Sequence, residues 1–254
     1  MVKFDFSGKT AVVIGGASGI GLTLSEAFLK SSANVVVGDL DGEAIQKTSK
    51  KKLFSKKKEK TALFEMDATV ETDVNSIMKL AVKKFGTIDV LVCCAGIASR
   101  TEVLSLSKEH FERVLKVNLT SVFLCSKEAA KIMEKANGGS IINISSILGS
   151  TALPGRAAYC ASKGAVIQLS KAMALEWADK KIRVNSICPG FTETPLTATH
   201  FENKEVLKLI EDRTPLKRFA QPEEIVGGIM FLASEQASFI TGTSLFVDGG
   251  WTAW

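Results

Sequence analysis

Short apolar runs rich in valine and isoleucine alternate with amphipathic stretches along the whole chain. The apolar runs predict strands at 10–14, 34–38, 61–66, 88–93, 140–145, 183–187 and 244–247. Because most of these runs are apolar at nearly every position, they are typical of a parallel sheet that helices cover on both faces. The amphipathic stretches predict helices at 19–30, 41–54, 70–85, 108–136, 157–179 and 222–233. This alternation indicates right-handed crossovers and a doubly wound α/β fold.

The domain organisation follows from the length and from the lack of any repeat or linker. A chain of 254 residues is close to the upper limit for one hydrophobic core, so we expect a single domain over 1–254. The segment 191–214 fits neither a simple helix nor a strand, and it follows the end of a predicted strand. We therefore expect it to form a mobile lid over a site.

Composition narrows the class of protein. With 46% hydrophobic and 23% charged residues, the chain is typical of globular proteins. It has no run of about 18 apolar residues, and its first ten residues carry charges where a secretory signal would be apolar. We therefore expect a cytoplasmic protein with no membrane contact.

The net charge of +5 comes from one segment. Residues 47–60 hold eight lysines and one acid, a local charge of +7, so the rest of the chain carries −2. We call these eight lysines the lysine cluster. A solvated helix end explains the lysine cluster better than nucleic-acid binding, because only Phe54 could stack on a base. We expect no nucleic-acid partner.

Cysteine and histidine usage excludes several kinds of site. The five cysteines form no CxxC pair, which favours free thiols over disulfides or a zinc site. With only two histidines in the chain, most histidine-based metal hydrolases are excluded, and we expect no metal.

A glycine-rich loop follows the first predicted strand and precedes a helix. Its glycines at Gly15, Gly16, Gly19 and Gly21 allow a tight turn, so the helix N-terminus can bind a pyrophosphate. Asp39 ends the second strand 18 residues later, where a carboxylate can accept hydrogen bonds from both ribose hydroxyls and repel a 2′-phosphate. This arrangement favours NAD over NADP, with a solvated strand-end aspartate as the alternative.

Asp67, at the end of the third strand, is a candidate for the adenine end of the same site. A plain turn-forming role is its alternative.

A second group of residues is suited to proton transfer. Tyr159, the only tyrosine, and Lys163 lie four residues apart, so both side chains share one helix face. A nearby ammonium lowers the pKa of a phenol and favours its use as an acid/base. Ser145 and Ser146 end a central strand and could bond a substrate oxygen, with capping as the alternative. Asn118 is a polar amide in an apolar helix, where a local backbone role is the alternative.

Together these motifs resemble the short-chain dehydrogenase/reductase family over 9–250. The resemblance implies a Rossmann-type doubly wound fold and a catalytic tetrad of Asn118, Ser146, Tyr159 and Lys163. In this tetrad Tyr159 is the acid/base on the substrate oxygen, and Ser146 polarises that oxygen. Lys163 lowers the tyrosine pKa and holds the nicotinamide ribose, while Asn118 positions a water for proton relay.

The resemblance also implies the cofactor contacts. The glycine loop binds the pyrophosphate, Asp39 selects NAD, and Thr192 and Thr194 lie near the nicotinamide amide. The full set is Gly15, Ser18, Gly19, Ile20, Gly21, Asp39, Leu40, Asp67, Ala68, Ala95, Gly96, Tyr159, Lys163, Pro189, Gly190, Thr192 and Thr194.

The chain departs from the family pattern at two places. Ile14 stands where the family usually has threonine, and Cys93-Cys94 replaces an Asn-Asn pair that braces the sheet near the cofactor. We expect backbone contacts from Ala95 and Gly96 to retain cofactor binding with altered affinity. The two thiols are expected to be apolar core side chains rather than reactive groups.

The leading hypothesis is an NAD-dependent dehydrogenase that transfers a hydride between the nicotinamide and a secondary alcohol or ketone, for example a sugar, polyol or hydroxy acid. The first alternative is a 3-oxoacyl-(acyl-carrier-protein) reductase that uses NADPH, which Asp39 disfavours. The alternative of another class is a nucleotide-sensing or scaffold protein without catalysis, which the intact tetrad disfavours.

The expected substrate pocket is mostly apolar. Its expected walls are Leu148, Leu153, Phe191, His200 and Phe201. Arg100 and Arg156 are candidate anion ligands, with solvated surface charge as the alternative.

The oligomeric state is expected from the tail and from the resemblance. The C-terminal tail with Trp251 and Trp254 is expected to pack at a subunit contact or beside a neighbouring active site, because exposed indoles are costly. The resemblance implies a homotetramer with the helices that begin near Lys108 and Ala157 at one interface.

Overall fold

Seven parallel strands form one sheet in the order β3-β2-β1-β4-β5-β6-β7. The computed structural model describes residues 4–200 and 204–253, with the side chains of 199, 200, 205 and 206 excepted. The strands are β1 Thr10–Ile14, β2 Asn34–Asp39, β3 Thr61–Glu65, β4 Val90–Cys93, β5 Gly139–Ile144, β6 Ile182–Pro189 and β7 Ser244–Val247. The predicted parallel sheet is confirmed, and each strand agrees with its prediction to within two residues at either end.

Helices connect the strands. They are α1 Gly19–Lys30, α2 Gly42–Lys50, α3 Lys52–Lys56, α4 Glu71–Phe85, α5 Lys108–Leu115, α6 Ser121–Lys135, α7 Ala157–Glu176, α8 Lys204–Arg213 and α9 Pro222–Ala233. The side chains of the central strands alternate between two apolar layers, since successive strand residues point to opposite faces. Val12 packs with α4, α6 and α7, whereas Val13 packs with α1, α3 and α9. The predicted doubly wound Rossmann-type fold is confirmed.

Three predicted elements differ in detail. The helix predicted at 41–54 breaks at Lys51, whose ψ of 137° is extended, so α2 and α3 are separate. The long helix predicted at 108–136 contains a π-helical turn at Lys116–Thr120 between α5 and α6. The segment 191–214 holds a 3₁₀ helix at Pro195–His200 as well as α8, so it has more regular structure than its pattern indicated. Its mobility stays a prediction.

The lysine cluster is more than a solvated helix end. Lys57 Nζ donates to the carbonyl of Leu29 at 2.7 Å, and Lys60 Nζ donates to that of Ser32 at 3.1 Å. Both carbonyls lie at the C-terminal end of α1, where cations are favoured. Phe54 is only 1% exposed and packs into the sheet core, so it cannot stack on a base. Part of the lysine cluster therefore fastens α3 and the following turn to α1.

The strand order places a crevice at the carboxyl ends of β1 and β4. The chain passes from β1 outward to β3 and then returns to β4 on the other side of β1. Loops that leave β1 and β4 therefore diverge, which opens the crevice where doubly wound folds bind ligands. Within the described part of the chain, no helix is long and apolar enough to cross a membrane.

Candidate active site

A cavity of about 540 Å³ occupies the crevice. Every residue predicted as a cofactor contact lines it, and so does Ser146. Asn118 does not line it, because its side chain is fully buried beneath the loop that follows β4. Ser145, Ile14 and Cys94, which the sequence analysis named in other roles, also line it. The lining residues that the sequence did not indicate are Met66, Thr69, Ile97, Arg113, Lys116, Val117, Ile144, Pro195, Leu196 and Thr197.

The glycine loop is shaped by close backbone contacts. Gly15 has φ +75°, and a Cβ there would lie 2.6 Å from the backbone nitrogen of Ala95. A Cβ on Gly21 would overlap the carbonyl oxygen of Gly15. Ser25 Oγ donates to the carbonyls of Gly21 and Gly16 at 2.9 and 3.2 Å, which holds the turn against α1. The glycines thus let the N-terminus of α1 form one wall of the cavity, where an anion such as a pyrophosphate is favoured.

Asp39 stands at the end of β2 on the same wall. Its Oδ2 accepts from the Ala17 N–H at 2.9 Å, and its Oδ1 accepts from the Asp41 N–H at 3.2 Å. Each carboxylate oxygen has a second lone pair, so both can still accept a ribose hydroxyl. These two bonds fix the carboxylate toward the glycine loop, which disfavours the alternative of a merely solvated strand end.

Asp67 serves a turn as well as the cavity. Its Oδ1 accepts from the Thr69 N–H at 2.8 Å, and its own N–H donates to Asp73 Oδ2 at 3.0 Å. Asp67 therefore forms a turn and also lines the cavity, and its place at the adenine end of a cofactor stays a prediction.

The Asn118 side chain ties two parts of the site together. Its Oδ1 accepts from the Ile97 N–H at 2.8 Å, and its Nδ2 donates to the Ile97 carbonyl at 3.0 Å and to Ser162 Oγ at 3.1 Å. Ser162 Oγ in turn donates to the Tyr159 carbonyl at 2.7 Å. Asn118 lies in the π-helical turn, a geometry that is rare and frequent at functional sites. Its side chain fixes the loop after β4 and the first turn of α7.

The two serines after β5 have different tasks. Ser145 Oγ donates to the Lys163 carbonyl at 2.8 Å, so it fastens α7, and the residue also lines the cavity. Ser146 Oγ accepts from the Leu148 N–H at 3.1 Å and also bonds Tyr159. Of the two serines, Ser146 is therefore the one that interacts with the Tyr159 side chain, and its role on a substrate oxygen stays a prediction.

Tyr159 and Lys163 project from one face of α7. Lys163 Nζ donates to the Ile144 carbonyl at 2.8 Å and lies 5.7 Å from the centre of the Tyr159 ring. Burial lowers the pKa of Lys163 to about 8. Burial also raises the pKa of Tyr159, while the Ser146 hydrogen bond and the Arg156 charge act to lower it. The net shift of the Tyr159 pKa is therefore upward in these surroundings, because burial outweighs the hydrogen bond and the charge. That Lys163 lowers this pKa stays a prediction.

Cys94 corrects the expectation of two core thiols. Cys93 lies in the core, where its thiol contacts Cys125, whereas Cys94 lines the cavity close to Lys163. Burial raises the pKa of Cys94 far above its ordinary value, so the thiol stays protonated and is a poor nucleophile.

A smaller branch of about 80 Å³ extends beyond Tyr159 and Ser146. Leu148 and Phe191 line it as predicted, and Leu153 packs behind them. The other two predicted wall residues, His200 by its side chain and Phe201 entirely, lie outside what the structure describes. Arg100 and Arg156 line the branch as well.

Trp251 is covered by its own chain. It is 6% exposed and packs with Ile147 and Leu148, and its ring centre lies 5.2 Å from that of Phe191. The cost of an exposed indole, which led us to expect a subunit contact or a neighbouring active site there, therefore does not apply to Trp251, and contact of the tail with another subunit stays a prediction. Trp254 lies outside the described residues.

The described residues hold no cluster of three histidine, cysteine or acidic side chains that could bind a metal ion. In contrast, the residues of the cavity fit a dinucleotide. The glycine loop leaves room that a Cβ would fill, Asp39 offers a carboxylate at the end of β2, and the buried Lys163 lies beside Tyr159.

Comparison with known proteins agrees with this geometry. A family model described as enoyl-(acyl carrier protein) reductase matches residues 15–252. The chain is 35% identical to 2-(R)-hydroxypropyl-CoM dehydrogenase of Xanthobacter autotrophicus, over 96% of this chain and 99% of that protein. It is 37% identical to a 3-oxoacyl-(acyl-carrier-protein) reductase of Thermotoga maritima, over 96% and 97%. A gluconate 5-dehydrogenase from Burkholderia cenocepacia, solved with NADP and tartrate, superposes with a TM-score of 0.93 at 32% identity, over 99% and 98% of the two chains.

Proposed function

The chain belongs to the short-chain dehydrogenase/reductase family, and relatives such as 2-(R)-hydroxypropyl-CoM dehydrogenase are dehydrogenases by name. We propose that this chain transfers a hydride between NAD(H) and a secondary alcohol or ketone. One observation carries the proposal. Tyr159, Ser146 and Lys163 line the same cavity as the glycine loop and Asp39. A bound nicotinamide would supply the hydride acceptor or donor.

The chain's own residues would handle the proton. In the oxidative direction Tyr159 must first lose its proton to solvent, and the phenolate oxygen then accepts the proton of the substrate hydroxyl, while Ser146 Oγ donates a hydrogen bond to the same substrate oxygen. In the reductive direction the Tyr159 hydroxyl gives the proton back to the carbonyl oxygen. The raised pKa of Tyr159 keeps it protonated at neutral pH, so kcat/KM for oxidation rises with pH and that for reduction falls.

Asn118 and Lys163 support this proton transfer indirectly, by positioning neighbouring groups and by charge. Both N–H donors of the Asn118 amide are used on Ile97 and Ser162, so its side chain acts by positioning. A proton-relay water at Asn118 would have to use its backbone. Lys163 would hold the nicotinamide ribose and, when protonated, would stabilise the Tyr159 phenolate.

The preference for NAD rests on Asp39. Asp39 lines the cavity, and its carboxylate would accept the ribose hydroxyls of NAD and repel a 2′-phosphate. A reductase of fatty-acid synthesis that uses NADPH is the second candidate, and the Thermotoga relative favours it. The two are separated by titrating NADH and NADPH into the protein and following cofactor fluorescence. Tighter binding of NADPH would remove the role given to Asp39.

The test of the activity is a substrate panel of polyols, sugars, hydroxy acids and hydroxysteroids, scored for NAD reduction at 340 nm. The proposal predicts turnover of at least one class, and a loss of that turnover in Tyr159→Phe. Turnover that survives in Tyr159→Phe would contradict the assigned acid/base. No turnover of any class, with either nucleotide bound tightly, would favour a nucleotide-sensing or scaffold protein.

Family membership also leads us to propose a cytoplasmic homotetramer. The exposed apolar side chains Phe123 on α6 and Leu175 on α7 support an interface at these helices. Light scattering should then give four times the chain mass of 27.2 kDa. A monomer would refute the assembly.

A further inference from the structure

The branch beyond Tyr159 combines apolar walls with two cationic side chains. Ile147, Leu148 and Phe191 form much of its apolar surface, and Arg100 and Arg156 supply the charged groups of its described walls. The branch shares Ser146 and Tyr159 with the main cavity, so it continues from the place where the reacting oxygen would lie. A substrate that reaches Tyr159 therefore extends toward the two arginines.

Arg156 is held in place by the same loop that Asn118 anchors. It precedes α7, three residues before Tyr159, and its Nη1 donates to the Ser99 carbonyl at 3.1 Å. Ser99 is 2% exposed, and its Oγ bonds His110 Nε2 at 3.1 Å. Because Arg100 directly follows Ser99, both arginines depend on one fixed piece of backbone.

The electrostatics of the branch suit an anion. Arg156 is half-buried, and its pKa is lowered first by burial and next by the positive charge of Arg100. Arg100 is exposed, in contrast to Arg156. A substrate carboxylate in the branch could accept hydrogen bonds from either guanidinium group, and such charge-assisted bonds are strong. Guanidinium groups also match the planar, two-oxygen geometry of a carboxylate.

We propose that Arg100 and Arg156 bind a carboxylate of the substrate, so that the protein acts on compact hydroxy acids and the corresponding oxo acids. This inference rests on the proposed dehydrogenase function. The small volume of the branch limits the group that enters it to a few heavy atoms, and its apolar walls favour a short hydrocarbon link between the carboxylate and the reacting carbon.

The test compares each acid with its neutral amide. We suggest 3-hydroxybutyrate and 4-hydroxycyclohexanecarboxylate, each beside its carboxamide, titrated into the protein–NADH complex and followed by NADH fluorescence. Binding needs no turnover. We expect at least one acid to bind about tenfold or more tightly than its amide, and Arg156→Gln and Arg100→Gln to reduce this preference to within about twofold.

Controls separate charge recognition from other effects. Lys83→Gln removes one positive charge from the exposed surface of α4 and should leave the preference unchanged. If Arg156 acts only on the Tyr159 pKa, then Arg156→Gln lowers kcat/KM equally for acid and amide and leaves their binding ratio intact. That result would overturn the proposal, as would equal binding of acid and amide or no binding of either.

The outcome is distinct from that of the proposed function. An acid preference that depends on both arginines, without oxidation by either nucleotide, would support the carboxylate site and refute the dehydrogenase. Oxidation of neutral alcohols with no acid preference would support the dehydrogenase and refute the carboxylate site.

Discussion

The cofactor side and the substrate side of the cavity are built in different ways. On the cofactor side, the glycine loop and Asp39 are held by contacts at the ends of the neighbouring strands β1 and β2, such as the bond from the Ala17 N–H to the Asp39 carboxylate. On the substrate side, Arg156 reaches Ser99 and Trp251 reaches Phe191, contacts that join segments far apart in the chain. The first side is fixed by the sheet itself, whereas the second depends on loops and can change its substrate without disturbing the fold.

The substitution with the largest expected effect disrupts cofactor binding and leaves the substrate side unchanged. Gly21→Ala places a Cβ on the Gly15 carbonyl oxygen, a backbone atom that cannot move aside. We expect the dissociation constant for NADH to rise by about a thousandfold, measured by fluorescence titration. Gly227→Ala, where a Cβ meets nothing within 4 Å, is the matched control. Near-UV circular dichroism checks folding, and a folded Gly21→Ala protein that binds NADH normally would contradict the account of the loop.

Lys163 lies between the two sides, and the loss of its proton should change the free energy of unfolding. In the unfolded chain its pKa returns toward 10.5, whereas burial holds it at about 8 in the fold. Between these values the unfolded chain binds the extra proton, so the free energy of unfolding rises with pH. Relative to Lys163→Met, the wild type should gain up to about 3 kcal/mol between pH 8 and 10.5.

Urea unfolding of both proteins across this range measures the gain. The difference cancels the other groups that titrate there, among them Tyr159, whose raised pKa acts in the opposite direction. A constant difference between the two proteins would show that Lys163 is not dehydrated as described.

Asp39→Ser sharpens the comparison from the cofactor side. Removing the carboxylate takes away the repulsion of a 2′-phosphate, so the ratio of NADPH to NADH dissociation constants should fall about tenfold or more. The maximal rate with a saturating cofactor should stay within about threefold of wild type. Asp179→Ser, an exposed site with the same change of charge, should leave the ratio unchanged. An unaltered ratio in Asp39→Ser would place cofactor selection elsewhere.

The smallest expected effect tests the substrate side. Trp251→Phe reduces the packing against Phe191 and Leu148, so KM for the substrate should rise about threefold to tenfold while NADH binding stays unchanged. Trp177→Phe, at the end of α7, serves as the control. A change in NADH affinity in Trp251→Phe would show that the two sides are not separable.

The same contrast explains what the sequence could predict. The glycine loop and Asp39 lie next to strands whose apolar runs were clear, and the Tyr159 and Lys163 spacing defines a helix face. The bond of Arg156 to Ser99 joins residues 57 positions apart, and no local pattern signals it. Burial decides the Tyr159 pKa, and burial is a property of the assembled fold.

Other misses have the same origin. The π-helical turn at Lys116–Thr120 keeps an apolar helical period, so its pattern cannot be told from that of a continuous helix. Lys57 and Lys60 reach the end of α1 only once α3 has packed on the sheet, and their spacing in the chain shows just a charged run.

The central claim is that Tyr159 transfers the proton in a reaction at the junction of the two sides. The most direct measurement is the steady-state rate and the NADH dissociation constant of Tyr159→Phe with the best substrate of the panel. The account predicts a loss of about a thousandfold in kcat, with NADH binding within about threefold of wild type. Oxidation at an undiminished rate would contradict it.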